Sequence, residues 1–360
     1  MKKIVVIVVM MLLFPMKVSA ISAESMIAMD ADSKRVLYAH NIEREKLIAS
    51  TTKIMTAIIA LENASLDSKI TVGEEVLKAH GSAIYIEMGE EISLRDLLYG
   101  LMLRSGNDAA IEIAYLVTGG MDSFAYLMNQ KAYELGMNQT IFYNNHGLEE
   151  NNGKGNTSTA YDMALLMTYA LENEEFVRIT GTEDHVAKTN QKTYKWENKN
   201  RLLREYEYTI SGKTGYTEKA KRTLVTAAEK DSKKIVVVTL NDGNDFQDHK
   251  DMYETLFSKY KRVTALSTSN LSIEQPTKGV YYIEKDFSLL VTEAEENEIK
   301  IVYDLQSKKD YENNEQVGIA KVMLGDKEVG SRRVYIKYDE EQKEEKVGLF
   351  RRFLGWLFKW

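Results

Sequence analysis

From position 51 to 62 apolar side chains recur every three or four residues, with Ile54, Ile58 and Leu61 on one face, so a buried helix begins just after Ser50. Leu94, Leu97, Leu98 and Leu101 mark a second helix over 93–103, with Ser93 in the N-cap position. The same spacing continues over 108–116, 123–135 and 159–172, the last opening on a capping-box variant of Thr159 and Asp162. Strand patterns bracket these helices. Residues 25–29 and 36–39 are β-favouring runs separated by polar residues 30–35, which reads as a hairpin. After position 206 the runs 208–210, 223–229 and 234–240 are strands, and Ile235-Val236-Val237-Val238 has the continuous apolar character of a central strand. Pairing of the early hairpin with the late strands, and packing of the helices against them, predicts an α+β core over about 21–260 with one antiparallel sheet.

Beyond this core the pattern contains strands only. Residues 261–270, polar and rich in Ser and Thr, read as a linker, and the runs 280–283, 287–291, 299–303, 317–323 and 332–338 predict a small all-β domain over 271–338. A charged stretch follows from 339 to 346. In the last residues, at about 100° per residue, Leu349, Phe350, Phe353, Leu354, Trp356, Leu357 and Trp360 fall on one side and Arg351, Arg352 and Lys359 on the other. This amphipathic helix of about fourteen residues is too short to span a bilayer and suits the headgroup region of a membrane better than a dock on the β domain.

The other end of the chain changes the picture of where the protein works. Lys2 and Lys3, an apolar run from Ile4 to Phe14 and the small residues Val18-Ser19-Ala20 form the pattern of a cleaved export signal over 1–20. The full chain carries a formal charge of −7, and loss of the signal makes the body more acidic. An acidic body argues against a nucleic-acid partner, which requires a basic face. The 360 residues contain no cysteine, excluding disulfides and thiol chemistry, and the five histidines are scattered without a metal-ligand spacing.

Three short pieces carry the candidate chemistry: Ser50-Thr51-Thr52-Lys53, Ser105-Gly106-Asn107 and Lys213-Thr214-Gly215. A serine hydroxyl is a weak nucleophile until a base takes its proton, and a lysine serves as that base only when burial or a nearby cation keeps it neutral. Ser50 and Lys53 sit three apart on the first turn of a helix, so both reach one site. Lys213 supplies a second cation that depresses Lys53 and attracts a substrate carboxylate, which Thr214 can also hydrogen-bond, while Gly215 admits a close backbone approach. Singly, the pieces read equally well as a helix cap, a turn and a strand entry. Together and in this order they specify a serine enzyme without histidine.

The set resembles the penicillin-binding/β-lactamase-like superfamily, and within it the low-molecular-mass D-alanyl-D-alanine carboxypeptidases. The similarity extends to residues 49–56 (ASTTKIMT), 104–109 (RSGNDA), 145–148 (NHGL), 158–164 (STAYDMA) and 212–217 (GKTGYT). The resemblance implies an acylated Ser50, Lys53 as its base, Ser105 in proton transfer and Asn107 on the substrate amide. It further implies Lys213, Thr214 and Gly215 around the substrate carboxylate, an oxyanion hole from the backbone amides of Ser50 and Tyr216, and no cofactor or metal. The implied partners are the peptidoglycan stem peptide, β-lactams as covalent inhibitors and, through the terminal helix, the outer face of the membrane. Ile48, Asn145 and Gly212 depart from the family pattern without touching a catalytic side chain. Two other readings compete: a β-lactamase, although the stretch after Gly147 lacks the Glu-x-x-Leu-Asn arrangement, and a catalytically idle wall-binding protein, against which the three intact motifs argue.

Overall fold

The structure is a computed structural model and describes residues 22–338 apart from 151, 152, 270, 277, 307 and 309. The proposed export signal and terminal amphipathic helix lie outside the described residues. Five antiparallel strands form the central sheet in the spatial order Val36–His40, Ser25–Asp30, Lys233–Leu240, Lys221–Lys230, Thr209–Thr217. Alternate residues face two different cores, which is why the central runs are apolar throughout. Ile27, Met29, Val225, Val236 and Val238 pack under the large helical layer, whereas Met26, Ala28, Leu224, Ile235 and Val237 pack under the helix Asp245–Lys259. Residues 245–259 carry no element in the sequence reading; Met252, Tyr253, Leu256 and Phe257 are its buried stripe. The hairpin of Asp184–Lys188 and Thr193–Glu197 is a second element absent from that reading.

The helices fall where the periodicity puts them: Leu94–Arg104, Asn107–Thr118, Met121–Glu134 and Ala160–Ala170. Ser93 caps its helix by accepting from Asp96 N at 3.1 Å. Only half of the capping box at Thr159 forms. Its hydroxyl accepts from Asp162 N, but the Asp162 carboxylate turns to Gln139 N and Thr140 Oγ1. The first helix also differs in detail: Ala49–Thr52 is a 3-10 turn, and the α-helix proper is Lys53–Asn63.

The linker reading of residues 261–270 is corrected by the structure. Lys261–Leu266 is a strand paired antiparallel with Phe287–Val291, because Val263, Ala265 and Leu266 pack against the β-rich core in spite of their polar neighbours. A four-stranded sheet in the order Val280–Tyr282, Lys327–Lys337, Glu315–Leu324, Ile299–Leu305 completes that unit, and the short helix Glu293–Glu296 carries a full capping box from Thr292. The joint between the two units is polar and specific. Buried Asp30 accepts from Leu290 N at 2.9 Å, while Arg35 donates to Leu290 O at 2.6 Å and pairs with Glu295.

Candidate active site

Ser50 is presented by a strained turn. Ala49 adopts a left-handed φ of 47°, an uncommon state for a residue with a Cβ, and Thr51 Oγ1 and Thr223 Oγ1 both donate to Ile48 O to hold the turn. Gly147, at φ +90°, lies so close that an added Cβ would sit 2.0 Å from Ala49 O. On the other side a Cβ on Gly215 would stand 2.3 Å from Thr223 Oγ1 and 3.0 Å from Ser50 N. The first role of Gly215 is therefore to let its strand pack against the serine turn.

Lys53 is fully buried, with Nζ 3.2 Å from Ser50 Oγ, 2.7 Å from Asn107 Oδ1 and 2.6 Å from His146 O. Burial, then the charges of Lys213 and Lys199, hold its pKa well below the usual lysine range, against a weaker opposing pull from Asp108. An amine so placed is biased toward its neutral form, the form that can accept a proton from Ser50. Lys213 is also buried and is pushed down to about 7 by burial and then by Lys199; its Nζ donates to Thr214 O at 2.8 Å. Burial is the larger cause for both lysines, and repulsion from neighbouring cations, Lys199 in both cases, is the smaller one.

Ser105 ends its helix in a left-handed conformation, φ 63°, and turns a buried Oγ toward the cleft with no hydrogen-bond partner among the described residues. An unpaired buried hydroxyl is costly, about 1–3 kcal/mol, and leaves Ser105 Oγ with its donor and acceptor capacity unused at the cleft. Asn107 has protein partners at both ends of its amide. Its Nδ2 donates to His80 O at 2.6 Å and its Oδ1 accepts from Lys53, so both ends of the amide orient the base and the cleft rim. The next residue, Asp108, accepts from Ile84 N and Tyr85 N, pinning that rim to the helix Asn107–Thr118.

Ser50, Ser105, Thr214, Gly215 and Tyr216 line one cleft of about 550 Å³ with Ser82, Lys199, Arg222, Asp245 and Phe246. Sequence reasoning does not find these last five. Lys199 donates to Ser82 Oγ at 3.3 Å and acts electrostatically on both buried lysines, yet it sits in a polar stretch with no motif. No group of three or more potential metal-ligating side chains occurs among the described residues.

A serine turn beside a buried lysine, on the edge of an antiparallel sheet with a helical layer, defines a serine enzyme of the penicillin-binding/β-lactamase-like fold. The structure of penicillin-binding protein 5 from Haemophilus influenzae shares this fold, with a TM-score of 0.74 at 23% identity over 89% of this chain and 98% of that one. Residues 14–244 match the family described as Peptidase S11, D-alanyl-D-alanine carboxypeptidase, and the chain belongs to that family. Residues 259–342 match the penicillin-binding protein 5 C-terminal domain. The chain is similar to D-alanyl-D-alanine carboxypeptidase DacF of Bacillus subtilis, 35% identical over 222 residues that cover 60% of this chain and 56% of the relative. It is also similar to a D-alanyl-D-alanine carboxypeptidase of Streptomyces, 34% identical over 59% of this chain and 78% of the relative.

Proposed function

We propose that this protein is a serine DD-carboxypeptidase that removes the terminal D-Ala from peptidoglycan stem peptides through an acyl-enzyme. The observation that carries this reading is the buried Lys53 Nζ 3.2 Å from Ser50 Oγ, its pKa held down by burial and two further cations. Ser50 Oγ attacks the carbonyl carbon between the two D-Ala residues, and its proton passes to Lys53. The oxyanion that forms is stabilised by the backbone amides of Ser50 and Tyr216. Lys53 then returns the proton through the Ser105 hydroxyl to the departing amine, the C–N bond breaks and D-Ala leaves. Water repeats the sequence on the ester, with Lys53 again taking the proton, and frees the shortened peptide.

The β-lactamase alternative requires a free carboxylate to drive rapid deacylation. The carboxylate lining the cleft among the described residues is Asp245, which is buried and bound by Arg222 and by Phe246 N. Glu149, in the stretch after Gly147, accepts from Thr217 Oγ1 at 2.6 Å, an interaction that ties that loop to the motif strand. β-Lactams are accordingly proposed as slow-leaving covalent inhibitors. In the assay, diacetyl-L-Lys-D-Ala-D-Ala releases D-Ala with the wild type and not with Ser50→Ala, and fluorescent penicillin labels only the wild type; a Ser50→Ala variant that still labels refutes the assignment.

The residues at the two ends support an exported protein held at the outer face of the cytoplasmic membrane. No helix among the described residues is long and apolar enough to cross a membrane. The proposed peripheral anchor is the amphipathic pattern of residues 347–360. Truncation after Asp339 is expected to release the protein from anionic vesicles, and undiminished binding of the truncated form refutes the anchor.

A further inference from the structure

One buried side chain that none of the three motifs includes ties the serine turn to the loop that reaches the base. Asn156 is 1% exposed and precedes Thr157, which pairs with Leu47 and with Ile141, so it sits where the segment entering the serine turn runs beside the segment leading to His146. Its backbone carbonyl accepts from Ile48 N at 3.2 Å and its Nδ2 donates to Thr52 Oγ1 at 3.0 Å, which grips the serine turn on both sides of Ser50. The same Nδ2 donates to Asn144 O at 2.8 Å, and Oδ1 accepts from Tyr143 N at 2.7 Å and Asn144 N at 3.1 Å. An amide side chain has two N–H donors and two acceptor lone pairs, and Asn156 uses all of them. Its orientation follows from its partners, because Tyr143 N and Asn144 N can only donate and must face the oxygen.

The other end of this clamp reaches the base. Asn144 Oδ1 accepts from Gly147 N at 2.7 Å and His146 N at 3.3 Å, which closes the turn over 144–147. That turn is tied down again through Asn145, whose Nδ2 donates to Ala110 O at 2.6 Å and whose carbonyl accepts from Thr56 Oγ1 at 2.7 Å. The turn presents His146 O to Lys53 Nζ at 2.6 Å, closer than the 3.2 Å between Nζ and Ser50 Oγ. A lysine stem of four carbons is flexible, so its nitrogen goes where its acceptors hold it. Asn156 therefore links the carbonyl that places Nζ to the turn that places Oγ, and it is not among the residues that line the cleft.

We propose that Asn156 is a positioning residue for acylation: by locking the serine turn to the 143–147 loop it sets the distance between Ser50 Oγ and the Lys53 amine. This rests on the carboxypeptidase reading, in which Ser50 is the nucleophile and Lys53 its base, and deepens it. Because Asn156 touches neither the reacting atoms nor the cleft, its loss acts on the rate of attack and leaves ligand affinity in place.

The test is saturation kinetics of acylation of the full chain by fluorescent penicillin, which separates the affinity of the first complex from the acylation rate constant. The labelling end point counts the folded sites, so a merely structural loss lowers the end point and not the constant per site. In Asn156→Ala the acylation constant per labelled site falls about 10- to 100-fold, while affinity stays within about twofold of the wild type. Thr52→Val, which removes one acceptor of the clamp and keeps the side-chain shape, slows acylation by less, and Thr52→Ser, which returns the hydroxyl, recovers most of that loss. The Thr52 pair provides the readout if Asn156→Ala does not fold. A wild-type acylation constant in folded Asn156→Ala, a loss confined to affinity or to the labelled fraction, or equal slowing in Thr52→Val and Thr52→Ser overturns the positioning role and leaves the carboxypeptidase reading intact. Wild-type protein that penicillin does not acylate overturns that reading, and the role of Asn156 with it.

Discussion

Replacing Gly147 by alanine tests how the serine turn is held, because the effect can be worked out before the experiment. The added Cβ meets Ala49 O at 2.0 Å, Ala49 C at 2.5 Å and Thr52 Oγ1 at 2.9 Å. Relief to a contact of about 3 Å therefore moves backbone by about 1 Å, since the first two atoms cannot rotate away as a side chain tip can. Alanine at φ +90° adds a conformational cost of about 1–2 kcal/mol, and overpacking adds about 1–3 kcal/mol. At about 2–4 °C per kcal/mol for a domain of this size, the thermal midpoint drops by roughly 4–20 °C. The functional loss is larger in proportion. Ala49 adjoins Ser50, and His146, whose carbonyl accepts from Lys53 at 2.6 Å, adjoins Gly147, so both members of the nucleophile–base pair shift. A misplacement of about 1 Å costs on the order of 100-fold in rate.

The assay is the second-order rate of acylation by fluorescent penicillin, beside thermal unfolding of the same sample. Gly136→Ala is the control: its φ is +74° but nothing lies within 4 Å of the new Cβ, so it pays the conformational term alone and acylates at the wild-type rate. Acylation by Gly147→Ala at the wild-type rate, or equal slowing in Gly136→Ala, refutes the packing argument.

Three further outcomes are expected. Lys199→Gln removes a cation that acts on both buried lysines, so the pKa of Lys53 rises and the acid limb of the acylation profile moves to higher pH; an unmoved limb refutes this coupling. Glu112 is buried with both carboxyl oxygens unpaired among the described residues and is pushed up to about 8 by burial and then by Glu75. Because the folded form keeps a proton that the unfolded form loses near 4.5, stability falls as pH rises from about 4.5 to 8, and Glu112→Gln should raise the thermal midpoint at pH 9 far more than at pH 4.5; an equal gain at both refutes it. Arg35→Ala leaves Leu290 O and the Glu295 carboxylate without their cation, so calorimetry should show the β-rich unit unfolding at a lower temperature than the peptidase core, and an unchanged single transition refutes the joint's role.

Much of the fold was readable because its signals are local. The helix over 94–104 and the strand over 233–240 follow from one stripe and one run of side chains, and both stand where the pattern puts them. The helix Asp245–Lys259 is not legible in the sequence because its apolar stripe is interrupted by Asp248, His249 and Lys250, and its inner face contains polar groups that pair in the fold. His249, for example, is buried between Thr226 and Thr239. Residues 261–270 read as a linker because Lys261, Arg262 and Thr264 obscure the alternation of Val263 and Ala265.

The sequence by itself determined the chemical inventory of the cleft: a serine with a lysine one turn away, a second serine and asparagine, a second lysine, and no cysteine or metal-ligand spacing. Such motifs are legible because their members are near one another in the chain. Tertiary structure alone decided what state those groups are in. The pKa of Lys53 is held down because it is buried near Lys213 and Lys199, and Asn107 turns its Oδ1 to Lys53 because His80 O takes its Nδ2. Arg222 enters the cleft because its strand lies beside the motif strand, and Asp245 and Phe246 reach it from a different helix. Burial and charge coupling depend on distances between residues remote in sequence, and only folding sets those distances.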